Sequence, residues 1–147
     1  MKRWHPGCMV MRLSGERGKE VDMSGKRVLI VDDDENLLFN LGAYLENEGF
    51  EICCVSGFHE ALQVLIEDRF DVALIDYRLV DRKGTDLIRE IRARNPLFPV
   101  VLMSAYLDDW VEALAQSYRP LTWLRKPFNG DEVVRAVDEA ADGRAGS

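Results

Sequence analysis

Six polar side chains that stand at the ends of four short apolar runs could together hold a cation and an anion. They are, in chain order, Asp32, Asp33, Asp34, Asp76, Ser104 and Lys126. Carboxylates that lie close together repel one another at neutral pH and favour a cation between them, and hard oxygen ligands suit Mg²⁺ best. A nearby ammonium and hydroxyl could then hold the oxygens of an anion, for which a phosphoryl group is the best candidate.

Most of these residues also have an ordinary structural explanation when each is taken alone. The run of aspartates is typical of a helix N-terminus, where acidic side chains favour the helix dipole. Lys126 alone is typical of an exposed lysine, and Ser104 of a strand-end hydroxyl that bonds to nearby backbone. Asp76 is the exception, because a carboxylate at the end of a buried strand costs free energy unless a cation, hydrogen bonds or water compensate it. The placement of all six at successive strand ends favours a functional site.

The elements that must position these residues follow from the hydrophobic pattern. Short apolar runs alternate with amphipathic stretches; the runs are "RVLIV" (27–31), "FEICCV" (50–55), "DVALI" (71–75), "PVVLM" (99–103) and "LTWLR" (121–125). Runs of Val, Ile and Leu with little alternation suit strands buried on both faces, as in parallel sheets. The pattern predicts a doubly wound α/β domain, with a five-stranded parallel sheet flanked by five helices.

The helices are predicted from apolar residues at helical spacing. The sets are Leu37, Leu38, Leu41, Tyr44 and Leu45; Ala61, Leu62, Leu65 and Ile66; Leu87, Ile88 and Ile91; Trp110, Val111, Leu114 and Ala115; and Val133, Val134, Val137 and Ala140. Gly49 is placed to end the first helix, and Asn129 with Glu132 to cap the last. In sheets of this class the ligand site lies at the carboxyl ends of the strands, where the polar residues stand.

Composition excludes several classes of protein. The chain has 147 residues, a net charge of −7 and no long run of Lys or Arg, so direct nucleic-acid binding is not expected. No apolar stretch approaches the length of a membrane span. The three cysteines, Cys8, Cys53 and Cys54, are odd in number and lack metal-type spacing. We expect reduced, buried thiols and therefore a cytoplasmic protein.

The domain boundaries follow from the same pattern. Residues 1–25 have no sustained periodicity and carry Gly7, Gly15, Gly18 and Gly25, which predicts a flexible N-terminal extension. The α/β domain occupies residues 26–141, and residues 142–147 are expected to form a flexible tail.

Four segments of the chain resemble the signature segments of the response-regulator receiver domain of two-component signalling. They are "VLIVDDDE", "DVALIDYRL…G", "PVVLMSA" and "WLRKPF". The similarity covers about residues 26–140. The resemblance implies a CheY-like, flavodoxin-like fold with strand order 2-1-3-4-5.

The resemblance also implies the role of each site residue. Asp76 is expected to accept a phosphoryl group, and Lys126 to pair with that group. Mg²⁺ is expected to bind Asp33 and Asp76 directly, Asp32 through water, and the backbone carbonyl of Arg78. Asp34 has no implied family role and is interpreted as a helix N-cap.

A conformational switch and its partners are implied in the same way. Ser104 takes the position of the switch hydroxyl and Trp123 that of the switch aromatic, and the Lys126–Pro127 bond is expected to be cis. The implied phosphoryl donor is a sensor histidine kinase or a phosphotransfer protein. The implied target is an effector protein or an output domain, and a homodimer could form through the fourth helix, fifth strand and fifth helix.

The sequence departs from the family pattern at three places. Val80 stands where the family usually has Pro, and Tyr118, Arg119 and Pro120 replace a small Gly-Ala pair before the fifth strand. Trp123 is bulkier than the usual Tyr or Phe, so its inward rotation could be hindered.

Two other functions compete with this interpretation. The first is a pseudo-receiver, an interaction module that no longer accepts phosphate. The second is a Mg²⁺-dependent phosphatase or phosphotransferase with Asp32 and Asp34 as its nucleophile pair, although Asn36 stands where such enzymes have Thr or Val. A dinucleotide-binding site is excluded, because no Gly-x-Gly-x-x-Gly follows the first strand.

Overall fold

The computed structural model of the chain describes residues 25–79, 82–105, 116–118 and 120–142, together with the backbone of residues 9–10. The strands are β1 (Met9–Val10), β2 (Arg27–Val31), β3 (Glu51–Val55), β4 (Val72–Asp76), β5 (Val100–Ser104) and β6 (Thr122–Arg125). The helices in the described residues are α1 (Glu35–Asn47), α2 (Phe58–Glu67), α3 (Gly84–Arg94) and α4 (Gly130–Ala141).

The strands form one sheet in the order β1-β3-β2-β4-β5-β6. The strands β2 to β6 pair in parallel, which confirms the predicted sheet and its 2-1-3-4-5 order. The short β1 pairs antiparallel with the outer edge of β3, with Met9 opposite Cys54 and Val10 opposite Cys53. This edge strand has no counterpart in the predicted pattern.

Helices cover both faces of the sheet, as a doubly wound fold requires. One face packs against α1 and α4 through a core that includes Leu38, Leu45 and Val137. The other face packs against α2 and α3 through a second core that includes Val64 and Ile88. The predicted fourth helix, Trp110 to Ala115, lies outside the described residues.

The helix ends follow the predicted signals. Asp34 caps α1, with its Oδ1 accepting from the backbone N–H groups of Asn36 at 3.0 Å and Leu37 at 3.2 Å. Gly49 follows α1 with a φ of 106°, a conformation that favours glycine. Asn129 and Glu132 form a capping box at the start of α4.

The predicted state of the cysteines is wrong at one position. Cys53 is disulfide-bonded, whereas Cys54 is free and buried, and burial raises the pKa of its thiol to about 12. The two neighbours point to opposite faces of the sheet, since Cys53 belongs to one core and Cys54 to the other. Because Cys53 is oxidised, the state of the cysteines no longer supports the predicted cytoplasmic location of the protein. Among the described residues, no helix has the length and apolar character needed to cross a membrane.

Candidate metal and phosphoryl site

The parallel register brings the predicted site residues to one edge of the sheet. Asp76 ends β4, opposite Met103, and Ser104 ends β5, opposite Arg125. Asp32 follows β2 directly and Lys126 follows β6 directly. Because parallel strands share their carboxyl edge, residues from distant parts of the chain meet there.

Three carboxylates form an acidic cluster at this edge. Ligand oxygens of Asp32, Asp33 and Asp76 all lie within 4.8 Å of one another, close enough to share one metal ion. Asp32 is 1% exposed and Asp76 is 7% exposed, whereas Asp33 is exposed to solvent. The cluster therefore has a buried floor and one open side, and its oxygen-only ligands fit a hard divalent cation.

Lys126 joins two of these carboxylates. Its Nζ atom donates to Oδ2 of Asp32 at 2.8 Å and lies 3.0 Å from Oδ1 of Asp76. The backbone N–H of Lys126 donates to the carbonyl of Ser104 at 2.8 Å, which fixes the residue beside the end of β5. The Lys126–Pro127 peptide bond is cis, as the resemblance predicts.

The site shifts the pKa values of its ionisable groups. Burial, followed by the charge of Asp32, raises the pKa of Asp76 to about 6, although Lys126 opposes the shift. Burial also raises the pKa of Asp32, against the hydrogen bonds from Lys126 and from the backbone of Asp34. For Lys126 burial acts to lower the pKa, but its bonds to Asp32 and Asp76 outweigh burial and raise it. The site thus holds a net negative charge that a bound cation would relieve.

Asp34 stays outside the acidic cluster. Its backbone N–H donates to Oδ1 of Asp32 at 2.9 Å, while its side chain caps α1. The side chain that the phosphatase hypothesis needs as a second nucleophile is therefore engaged in holding the helix. The predicted N-cap role of Asp34 is confirmed.

Gly84 is a site residue whose role the sequence did not reveal. It begins α3, and its N–H donates to the carbonyl of Tyr77 at 2.7 Å. A Cβ atom at this position would collide with the backbone carbonyl of Asp76. The missing side chain thus lets α3 approach the end of β4. The signal that could have identified it is the glycine of the segment "DVALIDYRL…G", which follows the buried strand at a fixed spacing.

The loop between β4 and α3 carries the predicted carbonyl ligand. Arg78 is exposed and pairs with Lys83 in an isolated antiparallel bridge. This bridge and the Gly84 hydrogen bond join the two ends of the loop. Val80, which stands where the family usually has Pro, lies outside the described residues.

Ser104 and Trp123 lie on one face of the sheet. Trp123 pairs in register with Leu102, and strand side chains alternate, so Ser104 two residues later shares that face. Ser104 is buried, and Trp123 is partly buried against the core beneath α2 and α3. The Nε1–H group of Trp123 is buried without a hydrogen-bond acceptor in the described part of the chain.

Arg92 binds the backbone of the unusual segment before β6. Its guanidinium donates to the carbonyls of Tyr118 and Pro120, each at 2.6 Å, and to the carbonyl of Phe98 at 3.0 Å. One side chain of α3 thereby holds the segment that replaces the small Gly-Ala pair. Arg119, the residue between the two bonded positions, lies outside the described residues.

Relatives of the chain include bacterial transcriptional regulatory proteins. The chain is similar to the transcriptional regulatory protein ZraR of Klebsiella oxytoca, with 35% identity over 122 residues, which is 80% of this chain and 27% of the relative. It is 32% identical to the transcriptional regulatory protein GlrR of Escherichia coli K12 over 78% of this chain and 26% of the relative. The chain thus spans about a quarter of the length of these relatives.

Solved structures show the same fold along nearly their whole length. A CheY-like response regulator receiver domain protein from Methanospirillum hungatei JF-1 matches with a TM-score of 0.77 and 27% identity, over 82% of this chain and 96% of that one. The response regulator TrrA from Thermotoga maritima, solved in complex with Mg²⁺-BeF, matches with a TM-score of 0.71 and 27% identity, over 78% and 98% of the two chains. The family model of the response regulator receiver domain matches residues 28–138, well over half of the chain. The chain belongs to the response regulator receiver domain family.

Proposed function

We propose that this domain accepts a phosphoryl group on Asp76 and signals through the resulting change in its surface. The observation that carries the proposal is the convergence of an acidic cluster with the ammonium of Lys126, 3.0 Å from Asp76. Asp33 and Asp76 would bind Mg²⁺ directly, Asp32 through water, and Arg78 through its carbonyl. When bound, the ion would supply neutralisation of negative charge on the phosphoryl oxygens.

The residues of the chain account for the rest of the transfer. The Asp76 carboxylate attacks phosphorus, forming a P–O bond while the P–N bond of a donor phosphohistidine breaks and the imidazole leaves. Lys126 already lies at the Asp76 oxygen, so its ammonium needs only a small movement to pair with a phosphoryl oxygen. Phosphoryl transfer depends mainly on positioning and on charge stabilisation, which this arrangement supplies.

The switch would begin at Ser104. The phosphoryl group adds about 1.5 to 2 negative charges and strong acceptor oxygens, to which the Ser104 hydroxyl can donate. The space that Ser104 leaves would let Trp123 turn inward and repack the face around β6 and α4, shifting a two-state population. The unsatisfied Nε1–H of Trp123 supports this, because a buried donor without an acceptor makes its present position costly.

The relatives support two classes of partner for this domain. A sensor histidine kinase or a histidine phosphotransfer protein would supply the phosphoryl group, and an effector or an attached output domain would receive the signal. The relatives named above regulate transcription and are about four times as long as the matched region, which supports an output outside this domain. A homodimer through the predicted fourth helix, β6 and α4 is also proposed.

Label transfer from autophosphorylated histidine kinases tests the function. The wild-type chain is expected to take label from at least one kinase of a panel, and Asp76→Asn to take none while keeping its fold. The matched control is Asp34→Asn, in which Asn can still cap α1 and label transfer should persist. Equal labelling of Asp76→Asn and the wild type would refute the assignment. Loss of labelling in Asp34→Asn alone would favour the phosphatase-type nucleophile.

A further inference from the structure

A groove lies between the C-terminal ends of α2 and α3, near the start of β4 and β5. The aspartates lie at the other end of the strands. It has a volume of about 280 Å³, and its wall includes Leu62, Phe70, Ile91 and Phe98. Ile66 also lines it, and this side chain is 64% exposed. Leu97, in the turn that carries the lining residue Phe98, is 72% exposed. Ile66 and Leu97 therefore extend the apolar wall of the groove to the surface, and an exposed apolar patch of this kind is typical of an interaction site.

The exposed ionisable side chains that line this groove are positively charged, although the whole chain carries −7. Two exposed cations, Arg69 and Arg94, line it. The one lining carboxylate, Asp68, forms an ion pair with Arg27 at 3.4 Å. The carboxyl ends of α2 and α3 add about −0.5 charge each, which is less than the two arginines supply. Because Arg69 and Arg94 are the exposed charges of the lining, negatively charged groups on an occupant would complement them.

We propose that the groove between α2 and α3 docks an amphipathic helix of a partner protein, with apolar residues in the groove and carboxylates against Arg69 and Arg94. Helices that bind apolar grooves present residues at i, i+3, i+4 and i+7, with charges beside them setting the specificity. A small apolar anion in the cavity would contact Ile66, which lines it, but would leave Leu97 in water. The exposure of Leu97 beside the groove therefore favours a helix over a small molecule.

The groove is remote from the acidic cluster. The groove lies near the start of β4 and the acidic cluster at its end, and the five residues of this strand span about 13 Å at the usual rise per residue. A helix in the groove would leave Asp76 accessible to a phosphoryl donor. The docking proposal thus stands independently of the phosphoacceptor assignment.

Two synthetic peptides test the proposal on the full chain. Each has about 18 residues, long enough for a helix in water, with leucines at i, i+3, i+4 and i+7; one has glutamates beside the leucines and its twin has lysines. We expect the acidic peptide to bind with a dissociation constant in the micromolar range and at least tenfold more tightly than its twin. Nuclear magnetic resonance shifts should cluster at residues 62–70 and 91–98. The double variant Arg69→Glu and Arg94→Glu should reverse the preference between the two peptides.

Two matched variants distinguish binding in this groove from binding at another exposed apolar side chain. Ile66→Ser should weaken the binding of the acidic peptide. Phe39→Ser, which removes a 61% exposed ring from α1, should leave the affinity for this peptide unchanged. Equal affinity for the two peptides, no binding of either, or shifts that map elsewhere on the wild-type chain would overturn the proposal. Self-association of the chain that Ile66→Ser abolishes would also overturn it, since a second copy would then be the occupant.

Discussion

The Nζ atom of Lys126 lies 3.0 Å from Oδ1 of Asp76 and 2.8 Å from Oδ2 of Asp32, so one ammonium neutralises part of two buried carboxylates. This single cation does not balance three acidic groups, and the pKa of Asp76 stays raised at about 6. The site is therefore arranged to gain stability from a further positive charge. The predictions below follow from this imbalance and from the contacts that hold the site together.

The first prediction concerns the stability of the metal-free protein. The raised pKa of Asp76 means that ionised Asp76 destabilises the fold above about pH 6, and that protonation removes this cost as the pH falls through 6 towards 3.8. Asp76→Asn should therefore increase the free energy of unfolding at pH 7.5 by an amount on the order of 1–3 kcal/mol. The gain should shrink towards zero near pH 4. Chemical unfolding of both proteins across this pH range measures it, and a larger gain at pH 4 than at pH 7.5 would contradict the assignment.

The second prediction concerns metal binding. Saturating Mg²⁺ at about 100 times its dissociation constant should stabilise the wild-type fold by about 2.7 kcal/mol, because a ligand that binds only the folded state shifts unfolding by mass action. Asp33→Asn removes the exposed member of the acidic cluster and should remove most of this gain. Thermal unfolding with and without Mg²⁺ gives the comparison, and an undiminished gain in Asp33→Asn would exclude that ligand.

The third prediction separates metal binding from phosphoryl transfer. Lys126→Ala should keep Mg²⁺ binding, since the ammonium is not a ligand, but should slow phosphorylation or weaken its readout. Lys126→Arg restores a cation and is the matched variant. Titration of Mg²⁺ by calorimetry and labelling from a phosphorylated kinase provide the two readouts. Wild-type behaviour of Lys126→Ala in both would remove the residue from the mechanism.

The fourth prediction concerns the contact between Gly84 and β4. Gly84→Ala places a Cβ against the Asp76 carbonyl, which is backbone and cannot turn away, and should destabilise the fold by about 1–3 kcal/mol. Gly130→Ala is the matched control, because its Cβ would meet the ring of the partly exposed Tyr44, which can move. Urea unfolding should show the larger loss for Gly84→Ala, and only this variant should slow phosphorylation. Equal losses would mean that the close approach to Asp76 is not critical.

The fifth prediction concerns Arg92, which bonds to carbonyls of three separate residues. Lysine cannot span these carbonyls, so Arg92→Lys should cost about 1.5–3 kcal/mol of unfolding free energy, the usual range for hydrogen bonds to a charged group. Arg94→Lys, at an exposed position of the same helix, should cost little. Urea unfolding distinguishes the two variants, and equal small losses would show that the segment before β6 does not depend on Arg92.

The sequence predicted the elements whose cause is local. Continuous apolar runs identified the parallel strands, and Asp34, Gly49 and Asn129 marked helix ends because capping depends on only a few neighbouring residues. The convergence of Asp32, Asp76 and Lys126 was predictable because parallel strands end at one edge.

The features that the sequence did not reveal depend on distant partners. The edge strand Met9–Val10 is too short to show periodicity, and the bonded state of Cys53 cannot be deduced from cysteine spacing. Arg92 has an ordinary place in the helical pattern, and its three carbonyl partners are known only once the chain has folded. The double contact of Lys126, with Asp32 and with Asp76, was likewise not predicted.

The most direct test of the central claim is to locate the phosphoryl group after reaction with a small phosphodonor in the presence of Mg²⁺. Borohydride reduction converts an aspartyl phosphate into a stable alcohol, which peptide mass spectrometry assigns to one residue. We expect a single modified residue, Asp76, with no modification when Mg²⁺ is chelated or when Asp76→Asn is used. Modification at another aspartate of the wild-type chain, or none at all with Mg²⁺ present, would contradict the account.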